Sequence, residues 1–382
     1  MPENWLMPPD PLWTWAVFAF FVMVAVIQLF YFWFYFRRAA FFSPGRKPGY
    51  DGPVSVVVCA RNEYHNLEKN LPLLLSQDYP DFEVVVVDDG SDDDTDLLLQ
   101  QMKARHPHLK VVPLRENVNF FKGKKLALSV GIKSAAHEVL LLTDADCRPA
   151  SPHWLLRMVD NYGDGTGIVL GYGAYEKHPG LLNRLIRFDT FFIALQYMGM
   201  ALAGRAYMGV GRNLSYKRAL FYAVKGFTSH YKIMSGDDDL FVNQVATSEN
   251  VAVEMNPQSH TLSFPKTSWR AWYRQKRRHM STSVHYKPSH KRRLGLFSFT
   301  HLAFYPLLAA ILAGAAQSLF GLVAVGLFLV RSASLLILLS GFARRLQEKG
   351  LLPFSLLHDL VHPLINFIFV VSSMFSANKA WK

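Results

Sequence analysis

Three acidic clusters hold the residue types that do chemistry. Asp88 and Asp89 precede Gly90, and Ser91, Asp92, Asp93, Asp94, Thr95 and Asp96 follow it. Asp144 and Asp146 flank Ala145 just after the apolar run Val139-Leu140-Leu141-Leu142. Asp237, Asp238 and Asp239 follow Gly236 and open a helical pattern through Leu240, Val242 and Val245. The first cluster also reads as a solvated turn with a helix cap, since Asp and Ser cap well. The third also reads as a helix start favoured by the macrodipole. The second resists a purely structural reading. Two carboxylates at i and i+2 repel unless water or a cation screens them. Hard divalent cations take oxygen ligands, and Mg²⁺ commonly combines one or two carboxylates with substrate phosphates. A metal-bridged diphosphate is the chemistry this cluster points to.

Such groups need a rigid scaffold. Val54–Ala60 is a continuous β-branched run, followed by a helical stretch through Leu67, Leu71 and Leu74. Residues 83–88, 110–114 and 138–143 read as three further strands, and 122–136 as a helix. Strands apolar on both faces that alternate with helices predict a parallel sheet covered on both sides. Ligands of such sheets bind beyond the strand C-termini, where the first two acidic clusters fall.

Several segments in series resemble family 2 glycosyltransferases. Val54 to Glu63, with Arg61-Asn62-Glu63 at its end, is similar to their opening strand and Asn-Glu signature. Ser76-Gln77-Asp78-Tyr79-Pro80 and Val84 to Ser91 resemble their Gln-x-Tyr-Pro and Val-Asp-Asp-Gly-Ser motifs. Gly123-Lys124-Lys125 resembles their Gly-Lys loop, and Asp144-Ala145-Asp146 their Asp-x-Asp. Gly209-x-Gly211-x-Asn213-Leu214-Ser215-Tyr216 resembles their acceptor-side segment. Gln275-Lys276-Arg277-Arg278-His279 is similar to the Gln-x-x-Arg-Trp motif of membrane-bound members. The match runs in order from about Val54 to His279.

The resemblance implies an α/β, GT-A (Rossmann-like, mostly parallel) domain that inverts the anomeric carbon of a nucleotide-diphosphate sugar with a divalent cation, Mg²⁺ or Mn²⁺. It implies that Asp89, with Asp88, contacts the nucleotide, with Arg61 and Glu63 alongside. Lys124 lies in the donor loop. Asp144 and Asp146 would hold the diphosphate, Asp146 through the metal. Asp237, three residues before Leu240, takes the place of the general base. Gln275 and Arg278 would clamp the diphosphate, and a guanidinium suits phosphate oxygens. Asn213, Asp238, Trp272 and His279 fall on the acceptor side. This sequence departs from the pattern at Gly236, where many members have Glu, and at His279, where the motif has Trp. That Trp is an acceptor platform in processive synthases, so its absence favours single-sugar addition. His279 is a candidate protonatable phosphate contact or a plain surface histidine.

The flanks are of another character. Residues 11–36 hold no Asp, Glu, Lys or Arg, and Trp13, Trp15, Trp33 and Tyr35 lie near the two ends. Such a run spans a hydrocarbon core of ~30 Å. Glu3 and Asp10 before it argue against a cleaved signal peptide. Arg37, Arg38, Arg46 and Lys47 after it put that end in the cytosol. Three more apolar segments read as 296–314, 317–341 and 354–376. Arg331 inside one of them is expensive without a partner. Asp359 and His362 weaken the last, which reads either as a span or as an interfacial segment. Arg344, Arg345 and Lys349, and Lys291 to Arg293, suit cytosolic loops, whereas a full final span would put Lys379 and Lys382 outside.

The expected organisation is therefore an extracytosolic N-terminus at 1–10, a transmembrane helix at 11–36 and a basic linker at 37–52. The GT-A domain follows at 53–293, with interfacial helices near 181–203 and 268–282. A membrane region of about three segments at 294–376 and a tail at 377–382 complete it. The interfacial reading rests on Phe188, Phe191, Phe192, Tyr197 and Met198, and on Trp269, Trp272 and Tyr273. The expected location is a bacterial inner (cytoplasmic) membrane with the catalytic domain cytosolic.

Apolar residues make up 51% of the 382 and charged ones 18%, which excludes a disordered chain. Mean hydropathy of +0.10 excludes a chain that is all membrane. Two cysteines exclude a disulfide framework, and free thiols are expected. The net charge of +12 fits an anionic leaflet rather than nucleic acid, because the basic clusters abut apolar segments. No P-loop, dinucleotide fingerprint, His-Glu-x-x-His or Gly-x-Ser-x-Gly occurs.

The leading expectation is a membrane-bound glycosyltransferase that moves a sugar, from UDP by family frequency, to a hydroxyl of a lipid or lipid-linked glycan. A processive polysaccharide synthase is the alternative of the same class. A non-catalytic sugar-nucleotide-binding protein and a transport-associated membrane protein are alternatives of other classes. A partner subunit is left open.

Overall fold

The computed structural model describes residues 12–45, 49–114, 124–233 and 235–374. Glu3, Asp10, Arg46, Lys47, Gly123, Lys379 and Lys382, and with them the expected N-terminus and tail, lie outside the described residues. The chain divides into two compact units. One comprises the described residues up to Phe42 together with Lys287–Ser372, and the other comprises Ser43–Tyr286.

The Ser43–Tyr286 unit is mixed α/β. Its main sheet uses β1 (Val54–Ala60), β2 (Phe82–Asp88), β3 (Leu109–Pro113), β4 (Val139–Asp144), β6 (Ile168–Leu170), β8 (Leu214–Lys217) and β9 (Val251–Val253). The order is β3-β2-β1-β4-β8-β6-β9. The first four strands are parallel, and β8 enters antiparallel to both β4 and β6. The long strands are the ones legible in the sequence. In β1 six of the seven residues are buried, the pattern of a strand covered on both faces. The helix Lys125–Ser134 lies close over β1 and β2. A side chain at Gly131 would meet Val57 Cγ1 at 2.6 Å, so only glycine allows this approach.

Register sets the site. Ala60 is opposite Asp88 and Cys59 is opposite Asp144, so two acidic clusters leave the sheet at one edge. Because β8 runs the other way, Leu214 faces Leu142, and the Gly209–Asn213 segment arrives at that same edge. A second sheet, β5 (Cys147–Pro149), β10 (Thr261–Ser263) and β7 (Gly173–Tyr175), stands in the order β5-β10-β7. Its strands have three residues each. So short a run carries no readable alternation, and the sequence reading did not find them.

The aromatic stripe read as interfacial needs correction. Phe188, Phe191, Phe192, Tyr197 and Met198 on the helix Leu181–Ala201 are all buried. Phe188 stacks on Phe192, and Tyr197 Oη donates to the Gly171 carbonyl at 2.8 Å. On the helix Trp269–Met280, Trp272 is buried and Trp269 is exposed. A buried ion pair, Lys276 with Asp189 at 2.6 Å, joins the two helices.

In the other unit, four helices among the described residues are long and apolar enough to cross a membrane: Trp13–Ala40, Pro288–Ala315, Leu319–Leu346 and Leu352–Ser372. The first carries a π-helical turn at Tyr31–Phe36. Arg331 has the partner that an intramembrane charge needs. It donates to Asp359 Oδ2 at 2.5 Å and Oδ1 at 3.1 Å, and to Gln28 Oε1 at 3.1 Å. His301 Nε2 lies 2.8 Å from Asp359 Oδ1, and Tyr305 Oη donates to Oδ2 at 2.5 Å. Each of the four helices supplies at least one member of this buried junction, and Pro288–Ala315 supplies both His301 and Tyr305.

Candidate active site

The centre of the site is Lys124. Its ammonium donates to Asp144 Oδ1 at 2.6 Å and stands 3.1 Å from Asp237 Oδ2. Asp144 closes β4, and Asp237 follows Gly236 just before the helix Asp239–Val245. Residues 93 positions apart are thus joined by one cation. Val57, Cys59, Thr143, Gly211 and Asp238 line the same small cleft.

Charge is distributed unevenly over the acidic groups. Burial pushes the Asp144 carboxyl up, yet Lys124 outweighs it and leaves the group below its ordinary value. Asp146 is raised, by burial first and then by Asp144. Asp144, Asp146 and Cys147 offer ligand atoms within 4.8 Å of one another. Burial also raises the Cys147 thiol, and its Sγ lies 2.9 Å from Ser263 Oγ. The other two members of this trio offer carboxylate oxygens. Two crowded carboxylates of this kind fit a hard divalent cation such as Mg²⁺ or Mn²⁺.

The Asp237–Asp239 triplet divides into three tasks. Asp237 faces Lys124. Asp238 accepts from the Asp239 N–H at 2.7 Å as the helix cap, and from the Gly211 N–H at 2.7 Å. Burial, then Asp237 and Asp239, pushes the Asp238 carboxyl up to about 7. Asp239 is buried and accepts from Tyr286 Oη at 2.7 Å and from Thr282 Oγ1. Gly236 has φ +98°, and a Cβ there would meet Leu240 Cδ1. A side chain at this position would therefore be strained.

At the C-terminal end of β2, Asp88 and Asp89 separate. Asp88 is buried and accepts from the Ser91 N–H at 3.1 Å and hydroxyl at 2.5 Å. One oxygen of its carboxylate, Oδ1, thus holds the turn. Asp89 is half-buried and raised by burial, against the pull of the neighbouring Arg61 charge. The Glu63 side chain accepts from Asn66 at 2.6 Å, and its N–H donates to Thr95 Oγ1 at 3.2 Å.

Two acceptor-side expectations are also corrected. Asn213 is fully buried. It accepts from Trp154 Nε1 at 3.0 Å and donates to the carbonyls of Tyr172 at 3.0 Å and Ser259 at 2.7 Å. Its amide braces the core behind the cleft. Trp272 is buried beside Trp269 and offers no open platform. Gln275 donates to Tyr175 Oη at 3.2 Å. Arg278 is exposed, and its charge helps to lower Asp144. His279 is exposed. Desolvation, then Arg278, Lys276 and Arg212, pushes its imidazole down to about 3.

Two residues that sequence reasoning passed over belong here. Arg212, within the Gly209–Tyr216 motif, lies 4.2 Å over the Tyr175 ring, and its charge acts on both Asp144 and Asp146. Tyr175 sits on β7, one of the strands too short to read. The other is Lys125, beside Lys124.

Fold and site together define an α/β domain of GT-A type, with its acidic site at the C-terminal edge of the parallel strands. The family described as Glycosyl transferase family 2 matches residues 55–238, and the chain carries a domain of that family. It is 34% identical over 143 residues to "Glycosyltransferase AglE" of Haloferax volcanii, 36% of this chain and 44% of that protein. It is 34% identical over 93 residues to "Poly-beta-1,6-N-acetyl-D-glucosamine synthase" of Staphylococcus epidermidis, 24% of this chain and 21% of that one. It is 24% identical over 232 residues to "Probable glycosyltransferase YdaM" of Bacillus subtilis, 59% of this chain and 54% of that one. The chain thus spans about half or less of the length of these relatives. A mannosyltransferase from Pyrobaculum calidifontis, solved with GDP-Man and Mn²⁺, shares the fold at a TM-score of 0.56 and 23% identity, covering 88% of this chain and 99% of that one.

Proposed function

We propose that the chain is a membrane-anchored inverting glycosyltransferase. It moves a sugar from a nucleotide-diphosphate donor, UDP being the expected nucleotide, to a hydroxyl of a lipid or lipid-linked glycan. The observation that carries this reading is the Lys124 bridge between Asp144 and Asp237. It sets the carboxylates suited to a metal-bound diphosphate beside one suited to take a proton.

Asp144 and Asp146 would hold the divalent cation, which when bound neutralises charge on the leaving diphosphate. Lys124, Arg212 and Arg278 supply further positive charge for phosphate oxygens. Asp237 accepts the proton of the acceptor hydroxyl as that oxygen bonds to C1. The C1–O bond to the diphosphate breaks on the opposite face, so the anomeric configuration inverts and the nucleoside diphosphate leaves. A phosphate acceptor is already an anion and needs no base, so Asp237 favours a hydroxyl. The basic residues Arg37, Arg38 and Lys291 to Arg293, which flank apolar helices, support a cytosolic face at a bacterial inner membrane.

The test is nucleotide release by the detergent-purified chain with Mn²⁺ or Mg²⁺ across UDP-, GDP- and dTDP-sugars, with a membrane lipid extract as acceptor. Release from one donor, lost in Asp146→Asn, is expected. Donor binding without release in any combination would favour a binding protein instead. A second reading, processive synthesis, is favoured by the likeness to the poly-N-acetylglucosamine synthase. Product length separates the two: single-sugar adducts at all donor concentrations exclude a synthase.

A further inference from the structure

The two adjacent lysines of the Gly-Lys segment have different tasks. Lys124 meets carboxylates. Lys125, the first residue of the helix Lys125–Ser134, is fully buried and meets none within hydrogen-bond reach among the described residues. An ammonium has three donors. Those of Lys125 go to three backbone carbonyls: His230 at 3.0 Å, Ser235 at 2.7 Å, and Ile233. All three belong to the stretch that runs through Gly236 into Asp237.

The described residues of that stretch have little regular structure of their own. It begins with left-handed residues, Lys225 at φ 57° and Gly226 at φ 66°, holds one 3-10 turn at Thr228–His230, and ends at Gly236 with φ +98°. Buried carbonyls outside helix and sheet need donors from elsewhere. The His230 carbonyl also accepts from the Ile233 N–H at 3.1 Å, and the Lys125 ammonium adds a donor to it and to the part-buried carbonyls of Ile233 and Ser235. The cost of burying that charge shows in its ammonium, which desolvation pushes down to about 8 against the attraction of Asp237, Asp239 and Asp238. It remains a cation at pH 7.

We propose that Lys125 is a positioning residue for the reaction. By gathering the carbonyls of His230, Ile233 and Ser235, it fixes the stretch before Gly236 and so the place of the Asp237 carboxylate. The inference rests on the reading of Asp237 as the general base. It assigns to Lys125 an effect on turnover and none on donor binding, because Lys124, Asp144 and Asp146 are left in place.

The experiment uses the full detergent-purified chain, with nucleotide release for kcat and calorimetry with the donor sugar nucleotide and Mn²⁺ for Kd. Lys125→Met is expected to lower kcat about 10- to 100-fold, the range for a misplaced reacting group. Donor Kd should stay within about threefold, a split that general destabilisation does not produce. Lys125→Arg, which keeps charge and donors, should recover part of the loss. If Lys125→Met does not fold, Lys125→Gln is read in the same way. Wild-type kcat in the neutral variant, or joint loss of kcat and donor binding, overturns the proposal. So does failure of every variant to fold, which would make Lys125 a residue of global stability. Asp237→Asn is the companion variant. If it keeps wild-type kcat, the base reading has failed, whereas an inactive Asp237→Asn beside a fully active Lys125→Met overturns this inference alone.

Discussion

The Lys124 ammonium stands 3.1 Å from the Asp237 carboxylate, and it gives its hydrogen bond to Asp144. One side chain thus ties the end of a sheet strand to the segment that carries the candidate base. Removing it leaves two part-buried carboxylates facing each other with no cation between them. Lys124→Met is expected to cut nucleotide release about 100-fold or more and to weaken donor binding as well. Steady-state kinetics with calorimetry checks both, and unchanged donor binding would contradict the role given to Lys124.

Asp146 is held above its ordinary value by burial and by Asp144. A bound divalent cation relieves both. Chelation with EDTA should therefore abolish nucleotide release, and Mn²⁺ or Mg²⁺ should restore it. Asp146→Asn should resist rescue at ordinary metal concentrations. Full activity in EDTA would exclude the metal reading.

At Gly236 the backbone is in the left-handed region and a Cβ would collide with Leu240 Cδ1. Gly236→Ala should cost about 1–2 kcal/mol from the backbone alone. It should also displace the adjacent Asp237. A lowered melting temperature together with a fall in kcat is the expected outcome. A neutral substitution would mean that this turn is free to rearrange.

The Arg331–Asp359 junction makes a further prediction. Breaking a buried pair by removing one partner costs about 3–5 kcal/mol, whereas replacing both by apolar residues costs less. Asp359→Leu alone should therefore lower thermal stability in detergent more than Arg331→Met with Asp359→Leu. Additive losses in the double variant would show that the two charges are not coupled.

His260 is buried, and its imidazole is pushed down to about 4 by desolvation, against a Met255 hydrogen bond and Glu254. Unfolded, it titrates near 6.5. Between those values the unfolded chain binds more protons than the native one, so this group's contribution is lost as pH falls below about 6.5. The contribution is on the order of 3 kcal/mol. Asp238, raised to about 7, acts in the opposite direction over the same range. Comparison of melting temperatures from pH 4.5 to 7.5 in the wild type and His260→Gln isolates the histidine. The variant should lose less stability on acidification.

The sequence by itself determined the elements and the chemistry that are local. β1 was legible to the residue, because a strand buried on both faces must be continuously apolar. The Asp144–Asp146 pair was legible because like charges two residues apart at a strand end call for a cation. The four apolar helices were legible because lipid demands long uncharged runs, although Arg331 and Asp359 look like flaws until they are seen to pair. Tertiary structure decided everything that depends on distant partners. It alone separated Asp237 from Asp238 and Asp239, since three identical side chains in a row differ only in what they meet. It placed the Asn213 amide in the framework behind the cleft, because a buried amide must satisfy its hydrogen bonds wherever donors and acceptors stand. It gave Lys124 and Lys125, neighbours of the same type, opposite partners, because neighbouring side chains at a helix start point different ways.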